Sequence, residues 1–321
     1  MESDFLVCSL ALFSASVEPL YAQIGPAVQW DKTFGGSSAD MISEVHVTSD
    51  GGYILGGKSY SGISGTKSEA SRGNYDYWVI KLDHNKVKQW DKTLGGSGIE
   101  SLSNVWETLD GGYILGGTSY SGISGDKSEP IKGYEDYWVV KLDSNGVKQW
   151  DKTIGGNNTE RLVDIQLTPD GGYILVGDSH SGISGDKTEA KRGISNDYWI
   201  VKLNSNGIKQ WDKTIGSSIQ DNLQSLAVTS DGGYILGGFT SGGISGEKSQ
   251  ASKGSTDYWI VKVDSNGVKQ WDKTIGGSSS ETLTGIEQTQ DGGYIVGGGI
   301  RLPVFPEIKL KLIEDGRIIG W

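Results

Sequence analysis

The chain has 321 residues, with 50 Gly, six Pro, 11 Trp and 14 Tyr. That is too rich in large apolar side chains for a disordered segment and enough for a packed core. Its 29 basic and 40 acidic side chains leave a net charge of −11, so Coulomb repulsion argues against nucleic acid or an anionic membrane surface as partner. The lone Cys8 excludes an internal disulfide or a Cys-based zinc site, and His46, His84 and His180 occupy unrelated positions that do not recur.

Residues 5–17, FLVCSLALFSASV, form an apolar run of 13. A bilayer span needs about 20 residues, so no transmembrane segment is expected here. The run has the length of a signal-peptide core, and small residues near Leu20-Tyr21-Ala22 offer a cleavage point before Gln23. The flank carries Glu2 and Asp4 instead of basic residues. We read residues 1–22 as a secretory signal with a damaged or misassigned start.

Repeats dominate the remainder. QWDKT begins at Gln29, Gln89, Gln149, Gln210 and Gln270, and DGGYI at Asp50, Asp110, Asp170, Asp231 and Asp291. DYW begins at Asp76, Asp136, Asp197 and Asp257, so the period is 60 residues with one unit of 61. In the unit from Glu100 to Gly156, SLSNVWETLD predicts a strand ended by the turn Asp110-Gly111-Gly112. Glycine there tolerates positive φ and favours a tight hairpin. GYILGG predicts the second strand, SYSGISGDKSEPIKGYE a long loop, and DYWVVKLD the third strand. Ser144-Asn145-Gly146 turns the chain into VKQWDKTIGG, the fourth strand. No stretch shows the 3.6-residue apolar period of a helix. Sequential four-stranded hairpin units predict an all-β fold, a β-propeller of antiparallel blades. A parallel β-helix is the structural rival, but its coils are shorter and lack hairpin turns.

Gly116-Gly117 before a long loop, Asp136-Tyr137-Trp138, a short turn and Trp150 together resemble a kelch-type blade. KLDSNGVKQW also resembles a strand pair of quinoprotein-like propellers, and the whole unit is similar to the repeats of Bacteroidetes-type secreted surface propellers. The resemblance covers residues 28–299. It implies that the strand through Val105 is innermost and the strand through Trp150 outermost. Blades are then expected at about 37–96, 97–156, 157–217, 218–277 and 278–299, with the strand 28–36 completing the fifth and closing the ring. Such families include enzymes and binders, so the resemblance specifies fold and not function.

After Gly298 the repeat stops, and residues 300–321 are off-pattern. Back-translating LPVFPEIKLKLIEDGRIIGW and reading each codon one base earlier permits S-x-G-I-S-G-[N/D]-K-T-E-A-[N/D]-R-G-x-x-D-Y-W, the missing loop and third strand. Its GISG-to-DYW spacing is 11, as from Gly65 to Asp76 and from Gly125 to Asp136. We read the tail as a frameshift product. The competing reading is a degenerate hairpin about Asp315-Gly316, since IKLKLIEDGRIIGW alternates apolar and polar residues.

The turns at Asp143–Gly146, Asn204–Gly207 and Asp264–Gly267 supply too few carboxylates for calcium and read as backbone-capping turns. The DGG turns and the DYW aromatics read as structural. The best candidate ligand surface is the recurring loop GISGTKSEASRG (62–73), GISGDKSEPIKG (122–133), GISGDKTEAKRG (182–193) and GISGEKSQASKG (243–254). Its charged residues are Lys67, Glu69, Arg72, Asp126, Lys127, Glu129, Asp186, Lys187, Glu189, Arg192, Glu247 and Lys248. Loops on a rigid scaffold often carry binding function; the competing reading is a solvated loop with local Lys–Glu pairs. No nucleophile motif or phosphate loop stands out. The expectation is a secreted or cell-surface monomer without cofactor or metal, a non-catalytic scaffold for a protein or glycan ligand. The alternative is a carbohydrate-active enzyme at the central channel, where Glu44, His46, Asn104, Trp106, Asp164, Gln166, Ser225 and Glu287 break the repeat.

Overall fold

The structure, a computed structural model, describes residues 28–301, 306–314 and 317–319. The chain divides into two units, residues 1–33 and 34–321. Of the first unit only residues 28–33 are described, and they form neither strand nor helix. The expected signal segment lies outside the described residues.

The second unit is all β. Its first sheet holds β1 (Asp40–Val47), β2 (Tyr53–Ser59), β3 (Asp76–Leu82) and β4 (Lys88–Leu94). The second holds β5 (Glu100–Glu107), β6 (Tyr113–Ser119), β7 (Asp136–Leu142) and β8 (Lys148–Ile154). The third holds β9 (Glu160–Leu167), β10 (Tyr173–Ser179), β11 (Asp197–Leu203) and β12 (Lys209–Ile215). The fourth holds β13 (Asp221–Val228), β14 (Tyr234–Thr240), β15 (Asp257–Val263) and β16 (Lys269–Ile275). The fifth holds β17 (Ser280–Gln288), β18 (Tyr294–Arg301), β19 (Pro306–Glu314) and β20 (Arg317–Ile319). In every sheet the strands pair antiparallel in chain order.

The turn chemistry follows the sequence. In the first hairpin Gly51 adopts φ +75°, and Asp50 Oδ1 accepts from Thr48 Oγ1 (2.6 Å) and the Gly52 N–H (2.9 Å). Lys81 Nζ adds an ion pair to Asp50 at 2.8 Å. In the later turn Asp143 Oδ1 accepts from the Asn145 and Val147 N–H groups at 2.9 Å each. The first repeat places Lys86 there with φ 65°, where the second has Gly146.

The core lies between sheets. Ile54, Tyr77, Val79 and Leu94 of the first sheet pack against Leu102, Val105, Tyr113, Leu115 and Trp138 of the second. The same junction recurs between the second and third, third and fourth, and fourth and fifth sheets. The Gly-Gly pair that ends GYILGG is explained here. A Cβ on Gly116 would lie 2.6 Å from Ile165 Cγ2 of the next sheet, and one on Gly117 would lie 2.2 Å from the Ser101 carbonyl oxygen and 2.5 Å from Tyr77 Oη of the preceding sheet. That hydroxyl crosses the junction and donates to the Trp138 carbonyl at 3.0 Å.

The ends depart from expectation. Residues 28–36 form no strand, so they do not complete the fifth sheet; the tail supplies its third and fourth strands instead. Phe34 packs on Trp78, Ile80 and Leu82, as Leu94 does on the second sheet, while Gly35 N–H donates to Thr66 Oγ1 (2.8 Å) and Gly36 N–H to Asp40 Oδ2 (2.7 Å). These bonds commit residues 34–36 to the first sheet. The alternation of the tail gives the β19–β20 hairpin, with Glu314 opposite Arg317.

Candidate functional site

The long loop between the second and third strands has its charges turned inward. Lys67, Lys127, Lys187 and Lys248 are at most 2% exposed. Each ammonium donates to the Thr of QWDKT in its own sheet: Thr93, Thr153, Thr214 and Thr274. Burial pushes Lys127 and Lys187 down to about 8. Glu69 accepts from Thr93 N–H at 2.9 Å and pairs with Lys92 at 3.0 Å; Glu129 accepts from Thr153 N–H at 2.8 Å and pairs with Lys152 at 2.7 Å. Glu189 accepts from Thr214 N–H at 3.0 Å and pairs with Lys213 at 2.9 Å.

The remaining candidates fasten one sheet to the next. Arg72 Nε meets Asp126 at 3.1 Å, Lys132 pairs with Asp186, and Arg192 Nε meets Glu247 at 2.9 Å. Asp126, Asp186 and Glu247 also accept from the linker N–H groups of Gly95 (3.1 Å), Gly155 (3.0 Å) and Gly216 (3.0 Å). The twelve residues therefore come together as rivets between strands and sheets, not as a free charged surface. What each loop leaves outside is the isoleucine of GISG: Ile63, Ile123, Ile183 and Ile244 are 67–71% exposed.

Each junction also buries two carboxyl groups. The Glu100 N–H donates to the Tyr75 carbonyl at 2.6 Å, which sets Glu100 beside Asp76. The same bond, Glu160 to Glu135 and Asp221 to Asn196, sets Glu160 beside Asp136 and Asp221 beside Asp197. All six carboxyl side chains are fully buried. Among the described residues the Oδ1 atoms of Asp76, Asp136 and Asp197 have no hydrogen-bond partner. Burial, reinforced by the neighbouring carboxylate, pushes Asp136 and Asp197 up to about 6.

A second polar cluster runs along the first strands, which adjoin from sheet to sheet. A β-bulge after Ile42, and again after Leu102, re-aims the residues that follow. His46 Nε2 lies 3.2 Å from Asn104 Oδ1, and its ring lies 4.0 Å from that of Trp106. Asn104 Nδ2 donates to Asp164 Oδ1 at 2.8 Å, and Gln166 Nε2 to Asp164 Oδ2 at 3.0 Å. Gln166 Nε2 also donates to the Leu226 carbonyl at 2.8 Å, and Ser225 Oγ accepts from the Ile286 N–H at 3.1 Å. Burial pushes Asp164 up to about 6. These strands border a cavity of about 900 Å³ lined by Trp106, Asp164, Gln166, Ser225 and Glu287 among others. Trp106 Nε1 has no hydrogen-bond partner among the described residues. The sequence-predicted repeat breakers from Glu44 to Glu287 are thus neighbours along one seam. Among the described residues no cluster of three or more His, Cys, Asp or Glu could hold a metal, and no helix is long and apolar enough to cross a membrane.

No family model matches the chain. It is 25% identical over 189 residues to the regulatory protein FlaEY of Caulobacter vibrioides, a match covering 56% of this chain and 20% of that protein. The chain thus spans about a fifth of the length of that curated relative. A crystal structure of glucose dehydrogenase aligns with 88% of this chain and 100% of its own at a TM-score of 0.36 and 10% identity, which carries no functional argument.

Proposed function

We propose that the five sheets are blades of a propeller-type array and that the chain is a secreted or cell-surface, non-catalytic scaffold binding a protein or glycan through its loop face. The observation that carries this is the set of exposed isoleucines, Ile63, Ile123, Ile183 and Ile244, at one position of four successive loops. Those loops are held rigid by buried lysines and inter-sheet ion pairs. A rigid apolar tip loses little entropy on binding, and four equivalent tips multiply a weak contact. A ligand with a repeated surface, such as a glycan polymer or a repeat-bearing protein, fits this best. The test is adsorption of the purified chain to whole cells and to insoluble cellulose, chitin and peptidoglycan. The Ile63→Ser, Ile123→Ser, Ile183→Ser and Ile244→Ser combination should bind at least about tenfold more weakly. Unchanged binding in that variant would remove the loop tips from the ligand surface.

A second reading is a carbohydrate-active site at the first-strand cavity. It is supported by Asp164, a carboxyl held near 6 beside that cavity, since a glycosidase acid must stay protonated near neutral pH. Release of reducing sugar that is lost in Asp164→Asn would favour it over the scaffold.

A further inference from the structure

Three positions break the repeat in every unit, and the fold gathers them at one place. Lys58, Thr118, Asp178 and Phe239 share a register position on the second strands. Tyr75, Glu135, Asn196 and Thr256 each precede a third strand, and Ser101, Arg161, Asn222 and Thr282 share a position on the first strand of the sheet that follows. At the first junction Lys58 Nζ donates to Ser101 Oγ at 3.2 Å and lies 5.4 Å from the Tyr75 ring. At the second Arg161 pairs with Glu135, and at the third Asn196 Nδ2 donates to Asn222 Oδ1 at 3.3 Å. The residues beside them do not vary: Gly57, Gly117, Gly177 and Gly238 on the second strands, Tyr77, Tyr137, Tyr198 and Tyr258 on the third. Four unlike sets close the same junction, so packing does not dictate them.

At the second junction the set borders a recess of about 240 Å³ whose polar lining is Ser101, Ser103, Thr118, Tyr120, Glu135 and Arg161. Tyr120 opens the long loop after β6 and Glu135 closes it before β7, so the recess lies on the loop face. Arg161 Nε and Nη2 both reach Glu135 Oε1 at 2.7 Å, so the pair carries no net charge. The glutamate side chain is 4% and the arginine 61% exposed, so the pair presents N–H donors to the outside. Ser103 Oγ donates to the Leu162 carbonyl at 2.8 Å, and Thr118 Oγ1 accepts from the Leu162 N–H at 3.1 Å. Each hydroxyl keeps capacity for a further bond. Tyr120 is 46% exposed beside them and offers a ring face to C–H groups. Donors, acceptors and a ring without net charge match a neutral polyol, and the chain's net charge of −11 disfavours an anion.

We propose that this recess, resting on the loop-face reading above, is a saccharide-binding subsite and that the ligand of that face is a neutral glycan. The exposed isoleucines then supply apolar contact along the polymer, and the recess supplies the choice of sugar.

Adsorption of the full chain to insoluble cellulose, chitin and starch, competed by cellohexaose, chitohexaose and maltohexaose, tests it. The wild type should adsorb to at least one polymer and be displaced by the matching oligosaccharide. Thr118→Asp, Glu135→Asn and Arg161→Asn together install the set that the third junction already holds. That variant should keep its near-UV circular dichroism and Tm, yet bind at least about tenfold more weakly. A readout without substitution is nitration of the wild type: saturating oligosaccharide should protect Tyr120. Full affinity in the triple variant, with loss in the quadruple isoleucine variant, overturns the subsite and leaves the loop-face reading standing. Loss in neither overturns both. A wild type that adsorbs to no polysaccharide overturns the glycan assignment, and a Tyr120 that stays reactive at saturation overturns the subsite whatever the variants do.

Discussion

The buried carboxyl pairs make stability fall as pH rises from acid to neutral. Asp136 is pushed up to about 6, first by burial and then by the charge of Glu160. An unfolded Asp titrates near 3.9. Between those two values the folded chain holds a proton that the unfolded chain has lost, so stability falls with rising pH across that window and levels off above it. The shift is about 2 units at about 1.4 kcal/mol each, so the ceiling is about 3 kcal/mol for this site. Lys127 and Lys132 oppose the shift, and the realised loss is about 1–3 kcal/mol. The perturbation is Asp136→Asn. Its amide keeps an acceptor for the Lys132 N–H, which now reaches Oδ2 at 2.6 Å. It also puts an N–H₂ donor where Oδ1 has no partner among the described residues, beside Glu160. The expected outcome is a gain of about 1–3 kcal/mol at pH 7.5 and nearly none at pH 4.5, where the native carboxyl already carries its proton. For a unit of this size each kcal/mol moves Tm by about 2 °C. Thermal unfolding followed by near-UV circular dichroism at the two pH values reads it. If Asn destabilises equally at both, the pair holds no proton and the account of the junction is wrong.

Other outcomes follow from the junctions and turns. Lys86→Gly should stabilise by about 0.5–1 kcal/mol in urea titrations, because Lys86 holds φ 65° where glycine has no steric cost. Gly177→Ala should cost at least about 2 kcal/mol by the same measurement, since its Cβ would lie 2.0 Å from the Arg161 carbonyl oxygen and 2.7 Å from Tyr137 Oη. Tyr77→Phe should cost about 1 kcal/mol through loss of the bond to the Trp138 carbonyl. Tyr258→Phe should cost nothing, because Tyr258 Oη has no hydrogen-bond partner among the described residues. If residues 302–321 are replaced by the frame-shifted loop and DYW strand, Tyr258→Phe should become as costly as Tyr77→Phe.

The hairpins were legible because each is decided within a few residues. Asp50-Gly51-Gly52 closes its turn with its own carboxylate and a positive φ, and a two-residue period says which side chains alternate. The loop was read less well because its partners are distant. Glu69 finds its donor 24 residues on, at Thr93, and Arg72 finds Asp126 on the following sheet. Nothing in GISGTKSEASRG alone separates a solvated Lys–Glu pair from a buried one. The information lay in QWDKT, whose Lys, Asp and Thr recur because each closes a bond to the loop: Asp91 accepts from the Ser68 N–H at 2.9 Å, from Trp78 Nε1 at 3.0 Å and from Lys88 Nζ at 2.6 Å. A string repeated that faithfully has its polar atoms committed.

The same argument explains why residues 28–36 do not behave as their composition predicts. QWDKT builds a fourth strand where a DYW strand lies beside it and a loop lysine precedes it, as Asp76–Leu82 and Lys67 do for Lys88–Leu94. The tail offers no such partner. The β18–β19 register sets Lys309 and Lys311 where the first sheet has Trp78 and Ile80, and an indole with a donor for the buried aspartate is replaced by a cation. A strand's identity in this chain is therefore set by the sheet it joins. A repeat-consistent third strand should draw residues 28–36 into pairing.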